Sequence, residues 1–202
     1  MRRSLVPLLA VGAAAAFLIT QQTAPGADND RQAQGKKAEI GKPAPDFELK
    51  DVYGKTFKLS DFKGKIVVLE WMNQKCPVSF GKHKDRVMQE TYKKYAAKGV
   101  IWLAIDSSYY AKGEDDRVYA ATMGLAYPIL QDPDGKVGHV YDAKTTPHMF
   151  VIDAKGVLAY DGAIDDHGKT NYVSEAIEAV LADKPVKHAK TKPYGCSVKY
   201  KS

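Results

Sequence analysis

Two uninterrupted apolar runs, Ile66-Val67-Val68-Leu69 and Val100-Ile101-Trp102-Leu103-Ala104-Ile105, set the strongest limit on how this chain can fold. A strand with one wet face alternates apolar and polar residues, whereas a run without alternation reads as a strand covered on both faces, as in a parallel sheet between helices. Parallel neighbours need a crossover. Residues 77–97 supply one, with Phe80, Val87, Met88, Tyr92 and Tyr95 at helical spacing. Strand, helix, strand over this distance is a right-handed βαβ unit. The expected class is α/β, with a central mixed sheet flanked by helices.

Weaker signals surround this unit. Phe47-Glu48-Leu49 and Thr56-Phe57-Lys58-Leu59 alternate about the turn Asp51 to Gly54 and predict a hairpin. Residues 113–123 predict a helix with Val118, Ala121 and Met123 on its inner face. Tyr127 to Leu130 reads as a short strand, followed by the turn Asp132-Pro133-Asp134-Gly135. Met149 to Ile152 and Val157 to Tyr160 flank Asp153-Ala154-Lys155-Gly156 as a second hairpin. Asn171 is placed to cap a last helix carrying Val173, Ile177, Val180 and Leu181 on one face, with Pro185 beyond it. Across 202 residues, 45% hydrophobic and 27% charged, there is material for one packed domain and no sign of global disorder.

The amino terminus has another character. Arg2 and Arg3 precede an apolar run from Leu5 to Ile19, which is short for a bilayer span and suited to the core of a signal peptide. The expected layout is a signal peptide or uncleaved anchor at 1–27, a flexible linker at 28–37, a folded domain at 38–185, and a basic tail at 186–202 that contains a cysteine. The expected location is extracytoplasmic, periplasmic if released and membrane-associated only if the first segment is kept. The net charge of +6 is concentrated at the end of the chain: Lys184, Lys187, Lys190, Lys192, Lys199 and Lys201 occur with no acid among them. Without residues 1–27 and this tail, the body is near −2. The charge therefore describes a tail rather than a basic face, and nucleic acid is not an expected partner.

Only two cysteines occur, Cys76 and Cys196. In an exported chain an even count suggests a pair. Cys76 follows the first apolar run and precedes Pro77, a residue favoured at the first position of a helix. That places the thiol at a helix amino terminus, where unpaired N–H groups and the helix dipole favour a thiolate. Lys75, Lys82, His83 and Arg86 add positive charge nearby. A thiolate there is a nucleophile.

Several segments resemble the redoxin (AhpC/TSA, peroxiredoxin-like) branch of the thioredoxin superfamily. They are Gly41-Lys42-Pro43-Ala44-Pro45-Asp46-Phe47, Leu59-Ser60-Asp61-Phe62-Lys63-Gly64-Lys65, Thr145-Thr146-Pro147, and Phe150-Val151-Ile152-Asp153 with Gly156. The ending Lys192-Pro193-Tyr194-Gly195-Cys196-Ser197-Val198-Lys199-Tyr200 resembles the tail of an uncharacterised subfamily of that branch. The resemblance implies a thioredoxin-like fold and Pro147 as a cis-proline beside the nucleophile, with Thr146 and His148 close to Cys76. It also implies Glu70 as a buried acid that relays protons. Two departures bear on activity. A thioredoxin carries a second cysteine three positions after the first, where Ser79 stands. A peroxiredoxin carries Thr or Ser three positions before its cysteine, where Asn73 stands and can still offer a hydrogen bond.

These readings imply a thiol-dependent oxidoreductase without a cofactor. Cys76 attacks a protein disulfide or a peroxide, the flexible tail swings Cys196 in to resolve the product, and an external thiol restores both. Two other readings stay open. A permanent Cys76–Cys196 bond would make the fold a binding module. Met72, Cys76 and His148 would suit Cu(I), as in Sco-type copper chaperones of the same fold, although residue 72 is not the cysteine those proteins use.

Overall fold

A computed structural model describes residues 37–201. The leader and nearly all of the linker lie outside the described residues. The elements are β1 (Glu48–Asp51), β2 (Thr56–Lys58), a 3-10 turn (Leu59–Phe62), β3 (Val67–Trp71), α1 (Pro77–Lys84), α2 (Val87–Ala96) and β4 (Ile101–Asp106). They continue as α3 (Gly113–Met123), β5 (Ile129–Gln131), α4 (Lys136–Val140), β6 (Thr145–Thr146), β7 (His148–Ile152), β8 (Leu158–Gly162), α5 (Tyr172–Leu181) and β9 (Cys196–Ser197).

Seven strands form one sheet in the order β2-β1-β5-β4-β3-β7-β8. The two apolar runs are its centre. β3 and β4 pair in parallel, with Val67 opposite Ile101 and Trp71 opposite Ile105. β4 and β5 are also parallel, whereas β7 runs antiparallel to β3 and β8 antiparallel to β7. Every residue of β3 is buried, as the unbroken hydrophobic pattern requires. Its side chains alternate between two cores. Val68 and Met72 pack with Met88, Trp102 and Ile177 on one face. Leu69 and Trp71 pack with Tyr141, Phe150 and Val198 on the other.

The crossover departs from the expected single helix. It breaks at Asp85 and Arg86, where Arg86 adopts φ +61 and opens α2. The buried Gln89 seals the break by donating to His83 O at 3.0 Å and Met123 O at 2.9 Å. Because α1 is only two turns long and turns away after Arg86, Phe80 is 38% exposed instead of joining the core. In α3 the inner face belongs to Asp116 and Tyr119, and Val118 is 57% exposed. Gln74 in the loop before Cys76 and Gln131 at the end of β5 draw Asp116 inward: it accepts from them at 3.2 Å and 2.8 Å. Asn171 caps α5 through Ser174 N–H at 2.7 Å.

The tail is the larger surprise. Rather than hanging free, it follows the body closely. Ala189 and Thr191 bond to Asp161. Val198 N–H donates to Lys144 O at 3.0 Å and is buried in the second core, and Tyr109 N–H donates to Lys199 O at 2.8 Å. No helix among the described residues is long and apolar enough to cross a membrane.

Candidate active site

The nucleophile candidate sits where strand becomes helix. β3 ends at Trp71, the loop Met72–Lys75 turns, and Cys76 forms the N-cap of α1 with Pro77 at the first helical position. The loop is held from within. Asn73 O accepts the Cys76 N–H at 3.0 Å, and Asn73 Oδ1 accepts the Lys75 N–H at 2.7 Å. The Asn73 amide donates to Ser108 Oγ and Tyr110 OH, both at 2.8 Å. Asn73 therefore shapes the loop; its amide points at these hydroxyls instead of at the thiol.

Cys76 is 2% exposed. Its neighbours come from two distant segments. The Thr146–Pro147 bond is cis, and Cys76 Sγ donates to Thr146 O at 2.9 Å. β9 pairs antiparallel with β6, setting Cys196 opposite Thr146 and Ser197 opposite Thr145. The Cys196 N–H then donates to Cys76 Sγ at 3.4 Å. Gly195 makes this approach possible. Its φ is +135, and a Cβ there would collide with Thr146 O. Burial of the Cys76 sulfur opposes its ionisation. Hydrogen bonds from the Cys196 thiol, the Ser79 N–H, the Thr146 hydroxyl and the Cys196 N–H outweigh that, and the thiol lies below its ordinary pKa. Cys196 moves the other way, because its thiol serves as donor to Cys76. Between the two, the Cys196 thiol is the donor and the Cys76 sulfur the acceptor, so ionisation is favoured at Cys76 over Cys196.

Glu70 is fully buried. Its partner is His83, with Nε2 2.9 Å from Oε1, while Trp102 Nε1 at 2.9 Å and Tyr127 OH at 3.3 Å donate to Oε2. His83 Nδ1 in turn meets Tyr119 OH at 2.9 Å. Sequence reasoning noted His83 only as nearby charge. Its position was legible, since Cys76, Ser79 and His83 fall on one stripe of α1 and Ser79 and His83 are both buried. The network is Glu70–His83–Tyr119, and the Glu70 and Cys76 charges both hold the Tyr119 hydroxyl in its neutral form, behind the larger effect of burial.

His148 follows the cis bond as expected, but its nitrogens face away from the thiol. Nδ1 accepts from Lys144 N–H at 3.1 Å, and Nε2 lies 2.8 Å from Asp161 Oδ1. With both nitrogens engaged, His148 has none to offer a copper ion beside Met72 and Cys76. Among the described residues no group of three or more His, Cys, Asp or Glu is arranged to hold a metal. Two surface clefts, of about 600 and 930 Å³, share Lys65, Asp153 and Lys155 in their linings. They open at the other end of β3 from Cys76.

A family model for the AhpC/TSA family matches residues 40–161. The chain belongs to that family. The match spans the sheet from the segment before β1 to β8, and so includes Glu70, Cys76 and Pro147. Among curated proteins, the chain is 34% identical over 149 residues to the thiol-disulfide oxidoreductase ResA of Bacillus thuringiensis subsp. konkukian, covering 72% of this chain and 79% of that protein. Among solved structures, a hypothetical protein from Sinorhizobium meliloti 1021 superimposes with a TM-score of 0.74 at 26% identity, over 83% of this chain and 97% of that one. A candidate thiol:disulfide interchange protein DsbE from Chlorobium tepidum gives 0.58 at 26% identity, over 73% and 98%. The thioredoxin-like fold and the redoxin branch inferred from the sequence are thereby established.

Proposed function

We propose that this protein is an exported thiol–disulfide oxidoreductase whose redox pair is Cys76 and Cys196. The observation that carries the reading is the placement of Cys196 in register against Thr146, with its N–H and its thiol both directed at the Cys76 sulfur. Cys76 supplies the thiolate, and Cys196 supplies the second sulfur of a bond that forms and breaks once per two-electron cycle. The ResA-type relative supports exchange between thiols and disulfides over peroxide reduction. So does Asn73, whose amide is spent on Ser108 and Tyr110 and has no donor left for a peroxide oxygen. Glu70, separated from Tyr119 by His83 alone, is the acid–base group for proton traffic behind the thiols. Export rests on Arg2, Arg3 and the Leu5–Ile19 run.

The docked tail favours one competing reading, a permanent staple between the two cysteines. The test is the reduction potential of the pair, read by alkylation and intact mass in glutathione buffers of graded ratio. A redox pair equilibrates within that range. A staple stays oxidised throughout, as structural bonds below about −300 mV do. Absence of any intramolecular disulfide under oxidised glutathione would sink both readings.

A further inference from the structure

The tail is anchored on both sides of Cys196. Upstream, the Tyr194 ring stacks on His167 at 4.3 Å and its hydroxyl bonds to Asp165, which also holds Lys82 Nζ at 2.6 Å. Downstream, the Tyr200 ring stacks on His139 at 4.0 Å and its hydroxyl donates to Ala143 O at 2.7 Å. Gly135 and Gly138 leave the room it fills: a Cβ on Gly135 would lie 2.6 Å from the Tyr200 ring, and one on Gly138 would strike its hydroxyl. Between these anchors, residues 195–198 lie over the thiol and along the edge of β6. Cys76 is thus enclosed by α1, the Thr146–Pro147 loop and the tail. Cys196 is partly exposed, and Gly195 and Ser197 on either side of it are exposed.

From this geometry we infer that partners exchange disulfides through Cys196, while Cys76 works behind it as the internal thiolate and leaving group. The inference rests on the redox-pair reading above and reverses the order of attack expected from the sequence. It balances as follows. In the oxidised protein, an external thiolate R–S⁻ attacks Cys196 Sγ. The Cys196–Cys76 bond breaks, a Cys196–S–S–R bond forms, and the electron pair leaves on Cys76 as its thiolate. A second external thiolate then attacks the R sulfur, releases R–S–S–R, and leaves Cys196 to take a proton from water. Two external thiols are oxidised and one protein disulfide is reduced. Running in reverse, a proton passes along the hydrogen bond from Cys196 to Cys76, and the Cys196 thiolate attacks the external disulfide, forming the mixed disulfide and releasing one R–S⁻, which takes the proton from Cys76; the Cys76 thiolate then attacks Cys196 Sγ, closes the Cys76–Cys196 bond and releases the second R–S⁻. Exposure selects the sulfur that is attacked, and the lower pKa selects the sulfur that leaves, which is how such exchanges partition.

The test is to catch the mixed disulfide. Oxidised full-length mature protein is mixed with reduced glutathione, quenched in acid, and mapped by peptide mass. The expected glutathione adduct is on Cys196, with Cys76 free. In parallel, reduced Cys76→Ser and Cys196→Ser are exposed to glutathione disulfide. Cys76→Ser should acquire the adduct, and Cys196→Ser should acquire it about tenfold or more slowly. An adduct on Cys76 in the wild-type protein, or equal rates in the two variants, would overturn the order of attack while leaving the pair intact. Failure of the wild-type protein to form the Cys76–Cys196 bond at all would instead overturn the redox-pair reading.

Discussion

Cys76 illustrates how one side chain obeys two opposed forces. Enclosure raises the energy of its anion, and four hydrogen-bonding contacts lower it by more. Two of the four belong to Cys196. Thiolate absorbance against pH should therefore give a midpoint below that of a free cysteine. Deleting residues 194–202 should move it upward, and an unchanged midpoint would show that the helix end acts alone. Asp106 lies on the opposite balance: burial first and the Asp116 charge second push its carboxyl up to about 7. The folded chain then keeps a proton that the unfolded chain has lost above about pH 4. Its contribution is intact below that pH and fades as pH rises through 7. Asp106→Asn should be more stable than wild type at pH 8, by roughly 1–3 kcal/mol, and should show little gain at pH 4. Denaturant titrations at the two pH values decide this. Of these residues, Cys76 announced itself through its neighbours in the sequence, whereas nothing local to Asp106 revealed that Asp116 would fold back toward it.

At the scale of elements, the central strands were the easiest to read, because continuous apolar runs depend on nothing outside themselves. The cap of α5 by Asn171 was equally local. Helix faces were harder. Periodicity assigned Val118 and Phe80 to the interior, but Asp116, Tyr119, Ser79 and His83 hold those faces through side-chain bonds to other elements. The α1–β3 junction turns on such a bond. His83→Ala should leave Glu70 Oε1 buried without the imidazole 2.9 Å from it and cost roughly 3–5 kcal/mol, the usual penalty for breaking a buried pair. Restoration of stability by the second change Glu70→Gln would confirm that the uncompensated carboxylate is the cause; equal loss in the double variant would point to packing. The β6–β9 pair depends on Gly195. Gly195→Ala should free the tail, opening residues 186–201 to limited proteolysis while the sheet stays resistant. A tail as protected as wild type would show that the anchors at Tyr194 and Tyr200 suffice.

The described residues form one seven-stranded sheet and, at one corner, the two-stranded β6–β9 ladder in which the tail closes over Cys76. The basic run of the tail reads as a solvated arm, and by composition it is one. Its docking is written instead in Gly135, Gly138 and Gly195, residues whose meaning appears only when segments up to 65 positions apart meet. The amino terminus lies outside the described residues; from Arg2, Arg3 and the Leu5–Ile19 run, fractionation with amino-terminal sequencing should find a chain outside the cytoplasm that begins near Ala27 if the leader is cleaved and at Met1 if it is kept as an anchor. Full-length protein in the cytosol would overturn that expectation. The closing strand also imposes an order on biosynthesis. Cys196 leaves the ribosome 120 positions after Cys76 and follows it through any export channel that passes the chain amino terminus first. The sheet and the Cys76 loop can assemble before then, but the thiol lacks its companion until Cys196 has been made. A chain halted before residue 196 thus presents a lone, uncovered cysteine, and only a copy extended past it carries the pair.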